Sequence, residues 1–419
     1  MKTSIPCSGS PTRPAPRPDP DAQLAESAER FGTPAYVYFA DRIADRIERL
    51  TTDFGRWFSL SFAVKSNPNA ALLAWLAPRI AHLDVSSGGE FARGVAAGWD
   101  PARASFTGPA KRADELEAAI AGGLGELVIE SLREAELAAA IAARLGRVQD
   151  VLVRIAPDRV PKGFGDQMAG RPSPFGIDIE VAGDALAQIA RLPGLRIRGL
   201  HIYSGTQCLK PEAIAENWRI FMSIFRDLCT ARDLTPARLV FGSGLGIPYH
   251  PGDVALDTGE VAAGIAADLD AFKAEPRFRD TELVLELGRH LVGEAGYFLT
   301  RVVSVKESRG SRIAICDGGM NAHLAASGHF GMVLRRAYTM HRVGGGNTEP
   351  EKVDISGPLC TSIDKLGTGV MLPRLEEGDL IAIHASGAYG PSASPVRFIS
   401  HPEPREVWVD GAGMRDVTA

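Results

Sequence analysis

Ser59-Leu-Ser-Phe-Ala-Val-Lys65-Ser-Asn-Pro68 is an apolar run that ends on one lysine and is then stopped by Asn-Pro. Proline has no N–H to give a sheet and restricts the residue before it, so a strand here ends near Lys65. A lysine at the mouth of an apolar strand is expected to be partly desolvated. That would lower its pKa and free an amine for Schiff-base chemistry. The plainer alternative is a lysine snorkelling from a strand end into water.

Further short β-rich runs follow, each trailed by an alanine-rich amphipathic stretch of helical period. The strands read as Leu60–Lys65, His82–Ser86, Ala104–Thr107, Glu126–Glu130, Asp150–Ile155, Ile197–Tyr203, Arg238–Phe241 and Thr281–Leu287. Eight β/α units predict a parallel (β/α)8 barrel, an α/β fold of the TIM type. A doubly wound open sheet is the rival, but no Gly-x-Gly-x-x-Gly follows its first strand. Chemistry in barrels sits at the C-terminal strand ends. Polar residues stand there: Lys65, Asp84, Arg154, His201 with Tyr203, Gly242-Ser-Gly244 and Glu286.

Before the barrel, Asp21 to Phe31 reads as a helix, Pro34–Phe39 as a strand, and Ala40 to Phe54 as a helix with Ile43, Ile47 and Leu50 on one face. Beyond Gly288 the helical rhythm stops. Short strands at Tyr297–Val305, Arg312–Cys316, Asp379–His384 and Glu406–Val409 predict a C-terminal all-β domain, which the strand before the barrel could join. Gly344-Gly-Gly-Asn347 reads as a turn within it. The expected division is a Pro-rich disordered lead-in over 1–22, a cofactor-binding barrel over 23–288, and a β-sandwich or β-barrel domain over 289–419.

The 419 residues carry 46 Lys+Arg against 51 Asp+Glu, a net charge of −5, which gives no support to nucleic-acid or anionic-membrane binding. No apolar run approaches the roughly 20 residues that span a bilayer, and the N-terminus lacks a signal-like apolar region. Cys7, Cys208, Cys229, Cys316 and Cys360 are scattered without Cys-x-x-Cys spacing. This argues against a disulfide framework or a metal site and for a reducing, cytoplasmic compartment.

Phe241-Gly-Ser-Gly-Leu-Gly-Ile247 follows the seventh strand, where small residues expose backbone N–H groups that can cradle a phosphate. Glu286-Leu-Gly-Arg289 closes the eighth: the glutamate could keep a heterocyclic nitrogen protonated, and the arginine could reach a phosphate. A surface ion pair is the ordinary alternative. Cys360 lies in the turn Gly357-Pro-Leu-Cys360, flanked by polar groups, and Tyr389 sits between glycines in Gly387-Ala-Tyr-Gly390.

From about Thr33 onward the chain resembles the fold-III pyridoxal-phosphate decarboxylases, the group of diaminopimelate, ornithine and arginine decarboxylases. The resemblance rests on Phe62-Ala-Val-Lys-Ser-Asn67, Asp84-Val-Ser-Ser-Gly-Gly-Glu90, Gly199-Leu-His-Ile-Tyr-Ser-Gly-Thr-Gln207, Gly242-Ser-Gly-Leu-Gly246, Glu286-Leu-Gly-Arg289, Asp317-Gly-Gly-Met320, Gly357-Pro-Leu-Cys360 and Gly387-Ala-Tyr-Gly390. It implies pyridoxal 5'-phosphate as cofactor, no metal, and a homodimer with shared active sites. Lys65 would be the Schiff-base lysine and Glu286 the partner of the ring nitrogen. Gly244, Arg289, Thr206 and Tyr389 would approach the phosphate, within a cofactor set that also holds Asp84, Arg154, His201, Tyr203, Gly242, Ser243 and Gly246. Cys360, from the other subunit, would be the proton donor. Asp364, with Thr361, Arg335 and Arg336, would lie on the substrate side.

The sequence departs from the family pattern mainly on that substrate side. Thr361 follows Cys360 where diaminopimelate decarboxylases carry a substrate-binding glutamate. Ala325–Arg336 replaces the Arg-Pro-x-Leu-Tyr element that grips the distal carboxylate. Tyr203 stands where the family usually has a histidine stacked on the cofactor ring, Leu287 where proline is usual, and Ser243 where a glycine is. The chain looks closer to biosynthetic decarboxylases of the exosortase-associated, carrier-protein-linked and siderophore types. The implied substrate is an α-amino acid or a derivative, free or carrier-tethered, other than diaminopimelate itself. A fold-III racemase and a non-catalytic regulator of decarboxylase fold are the alternatives. A racemase would pair the ring nitrogen with an arginine, and a regulator need not keep Lys65 or Cys360.

Overall fold

A computed structural model describes residues 20–330, 335–345 and 349–418. The proline-rich lead-in to residue 19, residues 331–334 of the Ala325–Arg336 segment and residues 346–347 of the glycine turn lie outside the described residues. Asp21 and Ala22, assigned to the lead-in, instead open the helix Asp21–Phe31.

Eight parallel strands close into a barrel: Phe58–Ala63, His82–Val85, Ala104–Phe106, Glu126–Ile129, Gln149–Ala156, Leu195–Ile202, Arg238–Gly242 and Glu282–Leu287. Closure comes from pairing of the eighth strand with the first, Leu283 opposite Phe58 through Leu287 opposite Phe62. Pairing of the fourth with the fifth completes the ring. Helices trail each strand and cover the outside. Their apolar faces meet large buried side chains such as Trp218, Phe221 and Phe225 around Phe241.

The barrel interior follows from the two-residue period of a strand. Val128, Leu152, Val240 and Val284, one each from strands four, five, seven and eight, form a separate buried cluster. Two residues further along the same strands stand Glu130, Arg154, Gly242 and Glu286. An apolar plug therefore lies directly beneath a polar ring at the C-terminal mouth.

The other sheet also uses the strand before the barrel. Ala35–Phe39 pairs antiparallel with Gly296–Ser308 and parallel with Arg405–Asp410. The two sheets meet just beyond Lys65. Asn67 donates its side-chain N–H to Gly387 O (3.0 Å), and the Tyr389 N–H donates to Ser66 O (2.7 Å). A Cβ on Gly387 would stand 1.9 Å from Val292 O, so only glycine permits this approach.

Two buried histidines brace the seam in neutral form. The Arg46 guanidinium faces His290 Nε2 (3.1 Å), leaving Nδ1–H for Gly246 O (2.9 Å). His323 Nδ1 accepts from Ala326 N–H, leaving Nε2–H for Ser386 Oγ. Burial pushes the pKa of each down to about 3. An unfolded histidine binds its proton near 6.5, so below that pH the unfolded state takes up protons the native state refuses. Each histidine should therefore cost about 1.4 kcal/mol of stability per pH unit as pH falls from about 6 towards about 3. Chemical denaturation across that range should show the decline, and His323→Gln should make it shallower. A slope unchanged in that variant would contradict the neutral assignment.

Candidate active site

Lys65 does not end the first strand. It sits in a single 3-10 turn, Val64–Ser66, after Ala63. Ser66 Oγ donates to Ala63 O (2.8 Å) and the Asn67 N–H to Val64 O (2.9 Å), which curls the chain before proline could end the strand by itself. This lifts the lysine over the mouth. Its Nζ lies 3.9 Å from Glu286 Oε1 and 5.6 Å from the centre of the Tyr203 ring.

The charge on Lys65 differs from the sequence expectation. Burial does oppose its ammonium, but the carboxylates of Glu286 and Asp84 outweigh it and raise the pKa above the ordinary value. With 42 % of the side chain exposed, water also helps keep the charge. The amine must therefore lose a proton before it can act as a nucleophile.

Glu286 is 5 % exposed. Burial alone would raise its pKa, yet a 2.9 Å hydrogen bond from His201 Nε2, with the charges of Lys65 and Arg154, holds it at about 2. Asp84 is pushed the other way, by burial and then by the Glu286 charge. It keeps Thr107 Oγ1 at 3.0 Å and Ser105 Oγ at 3.1 Å. Two neighbouring carboxylates are thus separated, the pKa of Glu286 drawn down and that of Asp84 pushed up. His201 Nδ1 is buried without a hydrogen-bond partner among the described residues.

A narrow recess opens beside these groups, lined by Lys65, Tyr203, Thr206, Ser243, Glu286, Arg289 and Tyr389, among others. Arg154 lies 5.9 Å from the Tyr203 ring centre, which therefore carries a cation on either hand. Burial raises the Tyr203 phenol, so this ring stays neutral where a histidine could be charged. Gly242 is required because a Cβ there would stand 2.4 Å from the Tyr203 ring. Gly244 needs its left-handed backbone (φ +71°), with Phe164 packed against it. Arg289 reaches Tyr249 Oη (3.4 Å) and lies 5.0 Å from the Tyr389 ring centre. Tyr389 is itself left-handed (φ 54°), a conformation costly for an aromatic residue and held by its bond to Ser66.

The remaining expected residues are elsewhere. Cys360 is exposed in its turn and does not line the recess, and Thr361 is its half-exposed neighbour. Asp364 was expected to face substrate. It is 3 % exposed, and its carboxylate accepts the N–H groups of Met320 (2.6 Å) and Leu359 (2.8 Å). It therefore pins the turn that presents Cys360. Arg335 is exposed, and Arg336 is paired with Asp253 at 3.0 Å rather than standing free for a substrate. Gly246 belongs to the wall behind the recess, accepting from His290.

Sequence reasoning missed Glu130, which holds Arg154 with both oxygens at 3.1 Å and accepts the N–H groups of Gly108 and Gly176. Its signal was available, since it ends the fourth strand as the other polar residues end theirs. It also missed Thr107 and Tyr249, which no motif marks.

A family model described as "Pyridoxal-dependent decarboxylase, pyridoxal binding domain" matches residues 40–293. The chain belongs to this family. It is 33 % identical over 393 residues to an L-glutamyl-[BtrI acyl-carrier protein] decarboxylase of Niallia circulans, covering 92 % of this chain and 91 % of that protein. It is also 33 % identical over 399 residues to the diaminopimelate decarboxylase of Zymomonas mobilis, covering 93 % and 91 %. The crystal structure of Helicobacter pylori diaminopimelate decarboxylase complexed with L-lysine superposes with a TM-score of 0.83 at 28 % identity, covering 94 % and 95 %.

This decarboxylase is an enzyme that uses pyridoxal phosphate, and its residues fit that group. A buried carboxylate with a lowered pKa suits a protonated ring nitrogen, a lysine stands beside it, and glycines with an arginine line the same recess. The barrel with a β-rich second domain is the architecture the sequence led us to expect.

Glu286→Gln should remove the buried charge while keeping the side chain's size. We expect kcat to fall by at least about 100-fold with cofactor affinity much less changed, because the charge matters most as carbanion character develops. Lys65→Ala should abolish the visible absorbance that borohydride bleaches. Unchanged kcat in the first variant, or unchanged absorbance in the second, would contradict these roles.

Proposed function

We propose that this decarboxylase acts on an amino-acid derivative other than free diaminopimelate, with a carrier-tethered aminoacyl group as the preferred substrate. The observation that carries the chemistry is the buried Glu286 at the barrel mouth, bound by His201 (2.9 Å) with Lys65 Nζ 3.9 Å from its other oxygen. Bound there, pyridoxal phosphate supplies an electron sink for the carbanion left when CO2 departs. Lys65 would bond the cofactor covalently and Glu286 would meet its ring nitrogen, while Arg289, Thr206, Tyr389 and the Gly242–Gly246 loop would hold its phosphate. Arg154, pinned by Glu130, and the neutral Tyr203 ring wall one side.

Cys360 is the proton donor in this reading. It is exposed on a turn of the β-rich domain, outside its own chain's recess, so it acts on the partner subunit of a homodimer. Atoms balance simply: the Cα–CO2 bond breaks, and the thiol proton goes to Cα. A racemase is disfavoured because a glutamate, not an arginine, occupies the ring-nitrogen position. A regulatory scaffold would have no need to bury an ionised carboxylate at this cost.

Two observations support the substrate class: the similarity to a carrier-linked glutamyl decarboxylase and the engagement of Arg336 with Asp253. Among the described residues no helix is long and apolar enough to cross a membrane, and the four described cysteines are free. Together with the sparse cysteine usage, this supports a cytoplasmic enzyme acting in biosynthesis.

A screen of CO2 release should find carrier-bound aminoacyl groups turned over faster than their free amino acids, with meso-diaminopimelate among the poorest substrates. Efficient turnover of diaminopimelate would overturn the substrate assignment.

Shared sites can be tested by refolding Lys65→Ala and Cys360→Ala together. About half the dimers should be mixed, each with one intact and one doubly altered site, restoring about a quarter of the normal activity. Mixed dimers confirmed by mass but inactive would place both residues in one chain.

A further inference from the structure

A second cavity, of about 400 Å³, lies between the barrel and the β-rich domain, behind the glycine loop. Arg42, His250, Asp253, Glu294, Tyr297 and His384 contribute to its wall. Its charges mostly cancel. Glu294 pairs with Arg46, and Asp253 with Arg336. Arg42 is different: among the described residues it has no carboxylate partner. Its guanidinium lies 5.1 Å from the ring centres of both Phe39 and Tyr297, which hold it in place. It also donates to Tyr297 Oη (2.7 Å), leaving the phenol proton free to be given elsewhere. Thr339 adds another hydroxyl to the wall.

Opposite stands a relay. Asp21 Oδ1 lies 2.8 Å from His341 Nε2, and His341 Nδ1 lies 2.7 Å from His384 Nε2. The carboxylate accepts a hydrogen bond from His341 Nε2–H, so His341 Nδ1 accepts from His384 Nε2–H. His384 Nδ1 is left as a lone pair with no protein partner among the described residues. Burial, and then His341 and Arg42, hold the His384 pKa at about 4.

We propose that this cavity binds a small oxyanion, a phosphate or a carboxylate, on Arg42, the Tyr297 and Thr339 hydroxyls and a protonated His384. An arginine held between two rings, without a carboxylate partner among the described residues and beside hydroxyl donors, calls for an acceptor-rich, negatively charged guest. That guest would meet the His384 lone pair, so binding takes up a proton there. The other charged groups facing His384 are Arg42 and, through His341, Asp21. His250, with Nδ1 at Ala337 O (3.1 Å), and the two paired carboxylates complete the wall. The cavity backs onto the cofactor recess: Tyr249, next to His250, receives Arg289, and His384 lies five residues before Tyr389.

The test is calorimetric titration of the cofactor-saturated protein with sodium phosphate, so that the phosphate end of the recess is already filled. Measurements at ~pH 5.5 and ~pH 7.5, either side of an ordinary histidine pKa, at constant ionic strength, give affinity and proton uptake. Binding should tighten at the lower pH with net proton uptake. Arg42→Gln should weaken it at least about tenfold. His384→Gln should leave it near wild type at the higher pH and abolish the tightening. If Arg42→Gln fails to fold, Tyr297→Phe should still weaken binding about threefold. A parallel titration with sodium glutamate assigns the guest as carboxylate if it binds more tightly than phosphate, and as phosphate if it does not. Absence of binding, affinity unaffected by Arg42→Gln or Tyr297→Phe, or binding without proton uptake would overturn the proposal.

Discussion

A single buried negative charge organises this enzyme's mouth. Glu286 is surrounded by barrel wall, and an isolated carboxylate in such a place would take up a proton. It stays ionised because His201 donates to one oxygen while Lys65 stands near the other. That charge then acts on its neighbours: it raises the pKa of Lys65 and, after burial, adds to the rise at Asp84. Removing it would lower both pKa values.

The scaffold beneath explains how such a charge is tolerated. Glu130 and Arg154 form a second buried pair, with backbone N–H groups filling the glutamate's remaining sites. Buried ion pairs give little net stability, but with every lone pair satisfied they fix geometry. Here they fix Arg154 against Tyr203, and Tyr203 against Gly242. The ring's position thus depends on a missing Cβ as much as on the charges around it.

The eight-strand barrel was legible because alternating apolar runs and amphipathic helices leave a strong periodic trace. Lys65, Glu286 and the glycine loop were legible because they interrupt that trace with groups a strand end does not need. The Lys65 pKa was misjudged because its sign depends on residues 19 and 221 positions away, which no local pattern places beside it. Glu130 was overlooked for a similar reason: its meaning lies in Arg154, on the next strand. Asp364 was read as a substrate ligand from motif position alone, whereas its two backbone partners exist only once the Gly319 and Gly357 turns have met.

The apolar plug below the polar ring has an electrostatic meaning. Val128, Leu152, Val240 and Val284 place packed hydrocarbon directly under Glu130, Arg154 and Glu286. Hydrocarbon polarises little, so those charges are poorly screened from below and must be balanced by one another and by whatever sits above them at the mouth.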